Sequence, residues 1–235
     1  IEPAPLQKGK YRNVTGNLAT AWGFLAASEK SGRNLFLGSY PITPASEILQ
    51  ELSRHKQFSA VSFQAEDEIA GIVSTIGASF AGALAITTTS GPGFSLKSEA
   101  IGLAVITELP IVIVDVQRGG PSTGLPTKSE QSDLMQALFG RNGEAPCIII
   151  AAQSASDCYY SAYEASKLAI EHMTPVILLS DGSIANGSEV FKIPKMKEMQ
   201  PIETPLVEAN DDSYQPYLRD EKKLNRRWAL PGTEG

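Results

Sequence analysis

The stretch Leu35-Phe36-Leu37-Gly38-Ser39-Tyr40-Pro41-Ile42-Thr43-Pro44-Ala45-Ser46 runs from a short apolar segment into a corner bracketed by two prolines. Pro44 cannot continue a strand, but it suits the first position of a helix, where its missing N–H costs nothing and Thr43 can serve as the N-cap. The segment therefore reads as a rigid strand-to-helix corner. In an open α/β sheet such corners lie at the carboxyl ends of the strands, where ligands bind, so Thr43 is expected to point into a crevice. On these residues alone, helix capping and ligand contact are both open.

Working outward, Leu18, Ala21, Trp22, Leu25 and Ala26 recur at helical spacing and Gly32 follows as a C-cap, which predicts a helix over 16–31. Short apolar runs bounded by turn residues predict strands at 35–37, 61–63, 84–88, 111–116, 147–151 and 176–179, the last four continuous enough to be buried on both faces. Helical patterns fall between them at 45–53, 68–80, 96–109 and 157–171. This alternation predicts an α/β fold: a doubly wound, mainly parallel six-stranded sheet with helices on both faces and right-handed crossovers. Residues 1–14, opening on Ile1-Glu2-Pro3-Ala4-Pro5, read as a linker, and 15–188 as the α/β domain. Residues 189–235 are rich in proline and charge without a sustained period, so an extended arm packing on a neighbour, or a linker to a following domain, is expected. Both ends read as cuts in a longer polypeptide.

With 235 residues, 42% of them hydrophobic and 20% charged, the chain is long enough for one substantial core. Its net charge of −6 is interspersed, and the only basic runs are Lys222-Lys223 and Arg226-Arg227, so nucleic acid is not an expected partner. Cys147 and Cys158 lack CxxC spacing, and with only His55 and His172 there is little from which to build a His-rich metal site or a Ser-His-Asp triad. No metal site is expected on this chain. No apolar run approaches the ~20 residues of a membrane span and no leader pattern opens the sequence, so a cytoplasmic location is expected.

Three further corners carry candidate chemistry. In Gln64-Ala65-Glu66-Asp67-Glu68-Ile69-Ala70-Gly71, acidic residues at a helix start are favoured by capping and by the macrodipole, with Asp67 the natural N-cap. Glu66 precedes that cap and stands apart as a carboxylate that could exchange a proton with a heteroaromatic base. Thr87-Thr88-Thr89-Ser90-Gly91-Pro92-Gly93-Phe94 is a glycine-rich turn without the GxGxxG or GK[ST] signature of a phosphate cradle. The loop Gln117-Arg118-Gly119-Gly120-Pro121-Ser122-Thr123-Gly124-Leu125-Pro126-Thr127-Lys128 is long for a structureless connection, and Arg118 at its base offers a planar fork suited to a carboxylate. Pairing of Arg118 with Asp115 or Glu130 is the alternative.

Taken together, Tyr-Pro-Ile-Thr-Pro at 40–44, Gln-Ala-Glu-Asp-Glu at 64–68, Thr-Ser-Gly-Pro-Gly at 89–93 and Gln-Arg-Gly-Gly-Pro-Ser-Thr-Gly-Leu-Pro-Thr at 117–127 resemble the α subunit of the 2-oxoacid:ferredoxin oxidoreductases, in the domain that binds the pyrimidine of thiamine diphosphate. The resemblance spans 15–188 and is nearest the 2-oxoglutarate type. It implies a thiamine diphosphate-binding fold and CoA-dependent oxidative decarboxylation of a 2-oxoacid to acyl-CoA and CO2, with reduction of ferredoxin. By the same resemblance Glu66 matches the glutamate that bonds the aminopyrimidine N1′, with Glu68 its competitor in register. Tyr40, Pro41 and Thr43 match the pocket around the pyrimidine, Thr43 also reaching the substrate, and Arg118 matches the arginine that binds the 2-oxoacid carboxylate. For a second substrate carboxylate, Lys97 and Lys128 are the candidates.

The Gly-Asp-Gly motif with its later asparagine, which holds magnesium and diphosphate in thiamine enzymes, does not occur, and Asp181-Gly182 with Asn186 is too short to imitate it. A β subunit is therefore expected to bring the diphosphate half-site, Mg2+ and a [4Fe-4S] cluster, alongside a γ subunit or domain. The alternatives are a non-catalytic docking module and specificity for pyruvate or branched-chain 2-oxoacids.

Overall fold

In the computed structural model, which describes residues 6–234, the chain runs β1 (Tyr11–Thr15), α1 (Gly16–Ser31), β2 (Leu35–Ser39), α2 (Ser46–Ser53), β3 (Val61–Gln64), α3 (Glu68–Phe80), β4 (Leu84–Thr89), α4 (Gly91–Leu96) and α5 (Ser98–Ile106). It continues through β5 (Ile111–Gln117), α6 (Leu134–Phe139), β6 (Ile148–Ala151), α7 (Asp157–His172), β7 (Val176–Asp181), α8 (Gly182–Asn186) and β8 (Ser188–Lys192). Local chemistry sets several of these boundaries. Thr15 Oγ1 accepts from Leu18 N at 3.2 Å to start α1, and Gly32 ends it with φ +64°, a conformation open to glycine without a Cβ penalty. Asp67 caps α3 as expected, its Oδ1 accepting from Ala70 N at 2.8 Å.

Six strands form one sheet in the order β3-β2-β4-β5-β7-β6, every neighbouring pair parallel. The central strands β4, β5 and β7 are buried along their whole length. On one face α1, α2 and α7 pack over Leu35, Leu37, Ile86, Val112, Val114 and Leu178. On the other, α3, α4, α5 and α6 cover Ala85, Ile111, Ile113 and Ile177. The expected doubly wound α/β architecture is present.

Three local expectations are corrected. Thr43 is not an N-cap: α2 begins at Ser46 behind Ala45, and the corner is closed by Ile42 O, which accepts from Ala45 N at 2.8 Å and from Ser46 N at 3.0 Å. The helix expected over 96–109 is present but shorter, as α5, and it is preceded by a further short helix, α4, in the stretch read as a glycine-rich turn, where Pro92 is tolerated in the first turn. β6 lies at the sheet edge and is only half-buried, since a continuous apolar run does not reveal whether both sides have neighbours.

The expected tails are also structured. Tyr11–Thr15 pairs antiparallel with Ser188–Lys192 instead of ending a linker, while residues 1–5 lie outside the described residues. Beyond β8 the arm folds back on its own domain. Trp228 N donates to Pro205 O at 2.7 Å, and Ile202 and Trp228 are buried in the cluster beneath α1 and α7. The apolar burial available there outweighs the cost of ordering a proline-rich segment.

Candidate active site

Because β3, β2, β4 and β5 are neighbours in that order, the four corners singled out in the sequence lie side by side at the carboxyl edge of the sheet. Their spacing depends on Gly38 in β2. A Cβ there would sit 2.5 Å from Gly71 O, 2.5 Å from Ser74 Oγ and 2.6 Å from Thr75 Oγ1, so glycine alone allows α3 to approach this closely. Ala65 N then donates to Ser39 O at 2.7 Å and Ser39 Oγ to Thr88 O at 3.1 Å, joining three corners through backbone and hydroxyl groups.

Tyr40 is buried, its hydroxyl 3.0 Å from Thr89 Oγ1, and burial pushes its pKa up to about 12. The Tyr40 hydroxyl, Thr89 Oγ1 and Glu68 Oε1 converge on the space where Gly93 lacks a Cβ, so this glycine makes room for a polar cluster and not for a phosphate. Pro41 and Thr43, by contrast, are exposed on the rim. The three acidic residues of the second corner divide in the same way. Asp67 caps its helix, Glu68 turns inward beside Tyr40, and Glu66 is exposed with no hydrogen-bond partner among the described residues.

Arg118, 8% exposed, donates through Nη1 to Thr43 O and through Nη2 to Thr123 O, both at 2.7 Å, while its buried Nε has no partner. It pairs with neither Asp115 nor Glu130. Glu130 instead accepts from Gly120 N at 2.9 Å, and Asp115 faces Asp133. The arginine therefore ties the proline corner to its own loop and still has donor capacity. That loop is closed at its base, with Gly119 N donating to Lys128 O at 2.8 Å. Arg118, Gly91, Ser122, Asp133 and Gln136 are among the residues lining a cleft of about 490 Å³. Tyr40, Pro41, Thr43 and Glu66 are not in its lining, so the structure sets the Glu66 rim and the Arg118 cleft on one sheet edge without merging them into one cavity within this chain.

Sequence reasoning missed what lies beneath. Asp115, in the otherwise apolar β5, is fully buried, and burial followed by the neighbouring Asp133 carboxyl raises its pKa well above the carboxylate range. Neither Asp115 oxygen has a hydrogen-bond partner among the described residues, and burial likewise raises the pKa of Asp133. Lys97, set against a second substrate carboxylate from sequence, has no exposed surface, and its Nζ donates to Thr87 Oγ1 at 2.7 Å. Lys128 is exposed. An aspartate inside the run Ile111-Val112-Ile113-Val114-Asp115-Val116 was the available signal of a buried polar group. Asp181 is engaged in capping α8, accepting from Ser183 N at 2.7 Å, and accepts from Gln131 Nε2 at 2.7 Å. Cys147 and Cys158 are free, and no helix among the described residues is long and apolar enough to cross a membrane.

Comparison with known proteins agrees with this geometry. A family model described as pyruvate flavodoxin/ferredoxin oxidoreductase, thiamine diphosphate-binding, matches residues 29–232. The 2-oxoglutarate oxidoreductase subunit KorA of Mycobacterium tuberculosis is 56% identical over 235 residues, covering 100% of this chain and 36% of that protein. The 2-oxoglutarate synthase subunit KorA of Archaeoglobus fulgidus is 47% identical over 191 residues, or 81% of this chain and 54% of that protein. Among solved structures, the 2-oxoglutarate:ferredoxin oxidoreductase of Magnetococcus marinus, with 2-oxoglutarate, coenzyme A and succinyl-CoA bound, superposes with a TM-score of 0.89 at 38% identity. That match covers 98% of this chain and 39% of that one. The chain thus spans between about a third and about half the length of these relatives. On the extent of these matches and the shared fold, the chain belongs to the thiamine diphosphate-binding family of the pyruvate flavodoxin/ferredoxin oxidoreductases, as a homologue of the α subunit of the 2-oxoacid:ferredoxin oxidoreductases.

Proposed function

We propose that this chain forms the pyrimidine side of a shared active site that converts a 2-oxoacid, with 2-oxoglutarate as the substrate, to acyl-CoA and CO2 while reducing ferredoxin. The observation that carries this reading is the division of labour at residues 66–68. Asp67 and Glu68 are engaged within the fold, whereas the Glu66 carboxylate stands free at the carboxyl edge beside the exposed Pro41 and Thr43. These residues fit one half of a thiamine diphosphate site, which when occupied supplies the carbanion-stabilising chemistry. Glu66 holds a proton at the pyrimidine N1′, Tyr40 and Pro41 shape the wall behind it, and Thr43 offers a hydroxyl to the substrate. Arg118 directs its remaining donors at the 2-oxoacid carboxylate, with the fork geometry held by Thr43 O and Thr123 O. The substrate assignment is supported by the names of the relatives, which are 2-oxoglutarate enzymes.

The other half of the site belongs to a β subunit, which brings the diphosphate-binding motif, Mg2+ and a [4Fe-4S] cluster, and a γ subunit or domain completes the enzyme. Residues 15–188 form the pyrimidine-binding domain in this reading. The helical face over β4 and β5 supports a docked partner. It exposes Ile69, Val73 and Phe80 from α3, Leu103 and Ile106 from α5, and Met135 and Phe139 from α6, with Ile106 80% and Phe139 71% exposed. The test is reconstitution of the complete complex with Glu66→Gln, which keeps the shape but cannot hold the proton at N1′. Acyl-CoA formation should fall by about 10²-fold or more. Near-normal turnover sinks the assignment.

A further inference from the structure

Lys97 lies at the junction of α4 and α5 with no accessible surface. A lysine is rarely buried unless it is paired, because its ammonium loses hydration that the interior must replace. Here Nζ donates to Thr87 Oγ1 at 2.7 Å and stands 5.7 Å from the centre of the Tyr40 ring. The acids that face it are Glu68 and Asp67 from the start of α3 and Asp115 from β5. Asp133, ahead of α6, reaches this group through Asp115 and feels Glu130 in turn, while Arg118 acts on Tyr40 from the end of β5. The lysine thus sits behind the proline corner and the acidic corner at once.

We propose that Lys97 is a positioning residue for the cofactor rim: from within the core it holds Tyr40 and Glu68 inward, which leaves Glu66 as the free carboxylate facing the pyrimidine. This rests on the reading of Glu66 given above. Glu68 Oε1, on a half-buried side chain, shares the space over Gly93 with the Tyr40 hydroxyl and Thr89 Oγ1, and it is the carboxylate that acts most strongly on Lys97 without forming a direct ion pair with it. Without Lys97, Glu68 turns outward to water next to Glu66. Two carboxylates on one rim then repel each other and compete for N1′. Burial lowers the pKa of Lys97 to about 7, against the pull of Glu68, Asp115 and Asp67, so its charge is lost as the pH rises through neutrality. Rim order therefore depends on pH through the charge of Lys97.

The experiment measures thiamine diphosphate affinity in the complete complex for wild type, K97M, E68Q and K97M/E68Q. K97M should bind about tenfold more weakly, and the double variant should recover most of that loss because no second carboxylate remains to be released. K97M binding as tightly as wild type, or a double variant as weak as K97M, overturns the proposal. Should K97M fail to assemble, wild type and E68Q decide the matter. The ratio of their affinities should move against wild type between pH 6.5 and 8.5, and a constant ratio refutes the role. Turnover of 2-oxoglutarate by the wild-type complex is scored separately, so a failure of the proposed reaction is distinguished from a failure of this positioning role.

Discussion

Gly38→Ala in β2 tests the close approach of α3 on which the site depends, and Gly77→Ala within α3 provides the opposite sign. At Gly38 the added Cβ falls about 0.9 Å inside the 3.4 Å at which ordinary contact begins, against Gly71 O, Ser74 Oγ and Thr75 Oγ1. Two hydroxyls could rotate, but a helix carbonyl cannot. α3 must therefore retreat from β2, weakening the bonds from Thr75 Oγ1 to Gly38 O at 3.4 Å and to Ile86 O at 3.2 Å. Overpacking of this kind costs about 1–3 kcal/mol, and contact with backbone places it in the upper half of that range. At Gly77 nothing lies within 4 Å of the added Cβ, and the residue is exposed in the interior of α3. There alanine should stabilise by about 0.5–1 kcal/mol, since it has less backbone entropy to lose.

Thermal melts followed by circular dichroism should show Gly38→Ala lowered by roughly 4–12 °C and Gly77→Ala raised by roughly 1–4 °C, given about 2–4 °C per kcal/mol at this chain length. Because α3 carries the 66–68 corner at its start, a displacement near 1 Å should also cost on the order of 10²-fold in turnover of the reconstituted enzyme for Gly38→Ala alone. A Gly38→Ala protein that melts with wild type would refute the packing argument.

Further perturbations separate the remaining roles. Asp67→Ala removes the bond to Ala70 N and should lower stability by about 1 kcal/mol, read as a shift in denaturant midpoint at unchanged slope. Arg118→Lys keeps the charge but not the fork that spans Thr43 O and Thr123 O, and should raise KM for the 2-oxoacid by about tenfold or more with a smaller change in kcat. The pKa of Lys97 falls from 10.5 to about 7 on folding, so between those values the unfolded chain binds more protons and stability rises with pH. Relative to K97M, wild type should gain stability from pH 7 toward pH 10, by at most roughly 5 kcal/mol, in denaturant melts. A difference between the two proteins that does not change with pH would contradict that shift. Asp115, whose pKa is raised, contributes with the opposite sign above pH 3.8, which makes the comparison with K97M necessary.

Much of the sheet was legible because parallel strands buried on both faces leave continuous apolar runs. β4, β5 and β7 were located in this way, and the Asp67 cap and Gly32 stop were readable from single residues. The edge position of β6 was not legible, because the residues of a strand carry no record of how many neighbours it has. Thr43 shows the limit of capping rules. Its identity and its proline suited an N-cap, yet the Ile42 carbonyl closes the turn and leaves the threonine on the rim. The returning arm was missed because Ile202 and Trp228 have no helical or strand period, and only the groove beside α1 and α7 gives them a place.

For the candidate site the division is similar. The motifs at 40–44, 64–68, 89–93 and 117–127 are each contiguous in the chain, so they could be singled out from sequence, and the resemblance to the family rests on their residues. Which acid of the triplet is free, what Arg118 holds, and that Lys97 and Asp115 lie in the core beneath the rim were decided only by the tertiary structure. The physical reason is that these properties depend on burial and on partners far apart in sequence. Glu68 meets the Tyr40 hydroxyl over a missing Cβ at Gly93, and Arg118 reaches Thr43 O across 75 residues of chain, contacts that exist only once β2, β4 and β5 stand side by side.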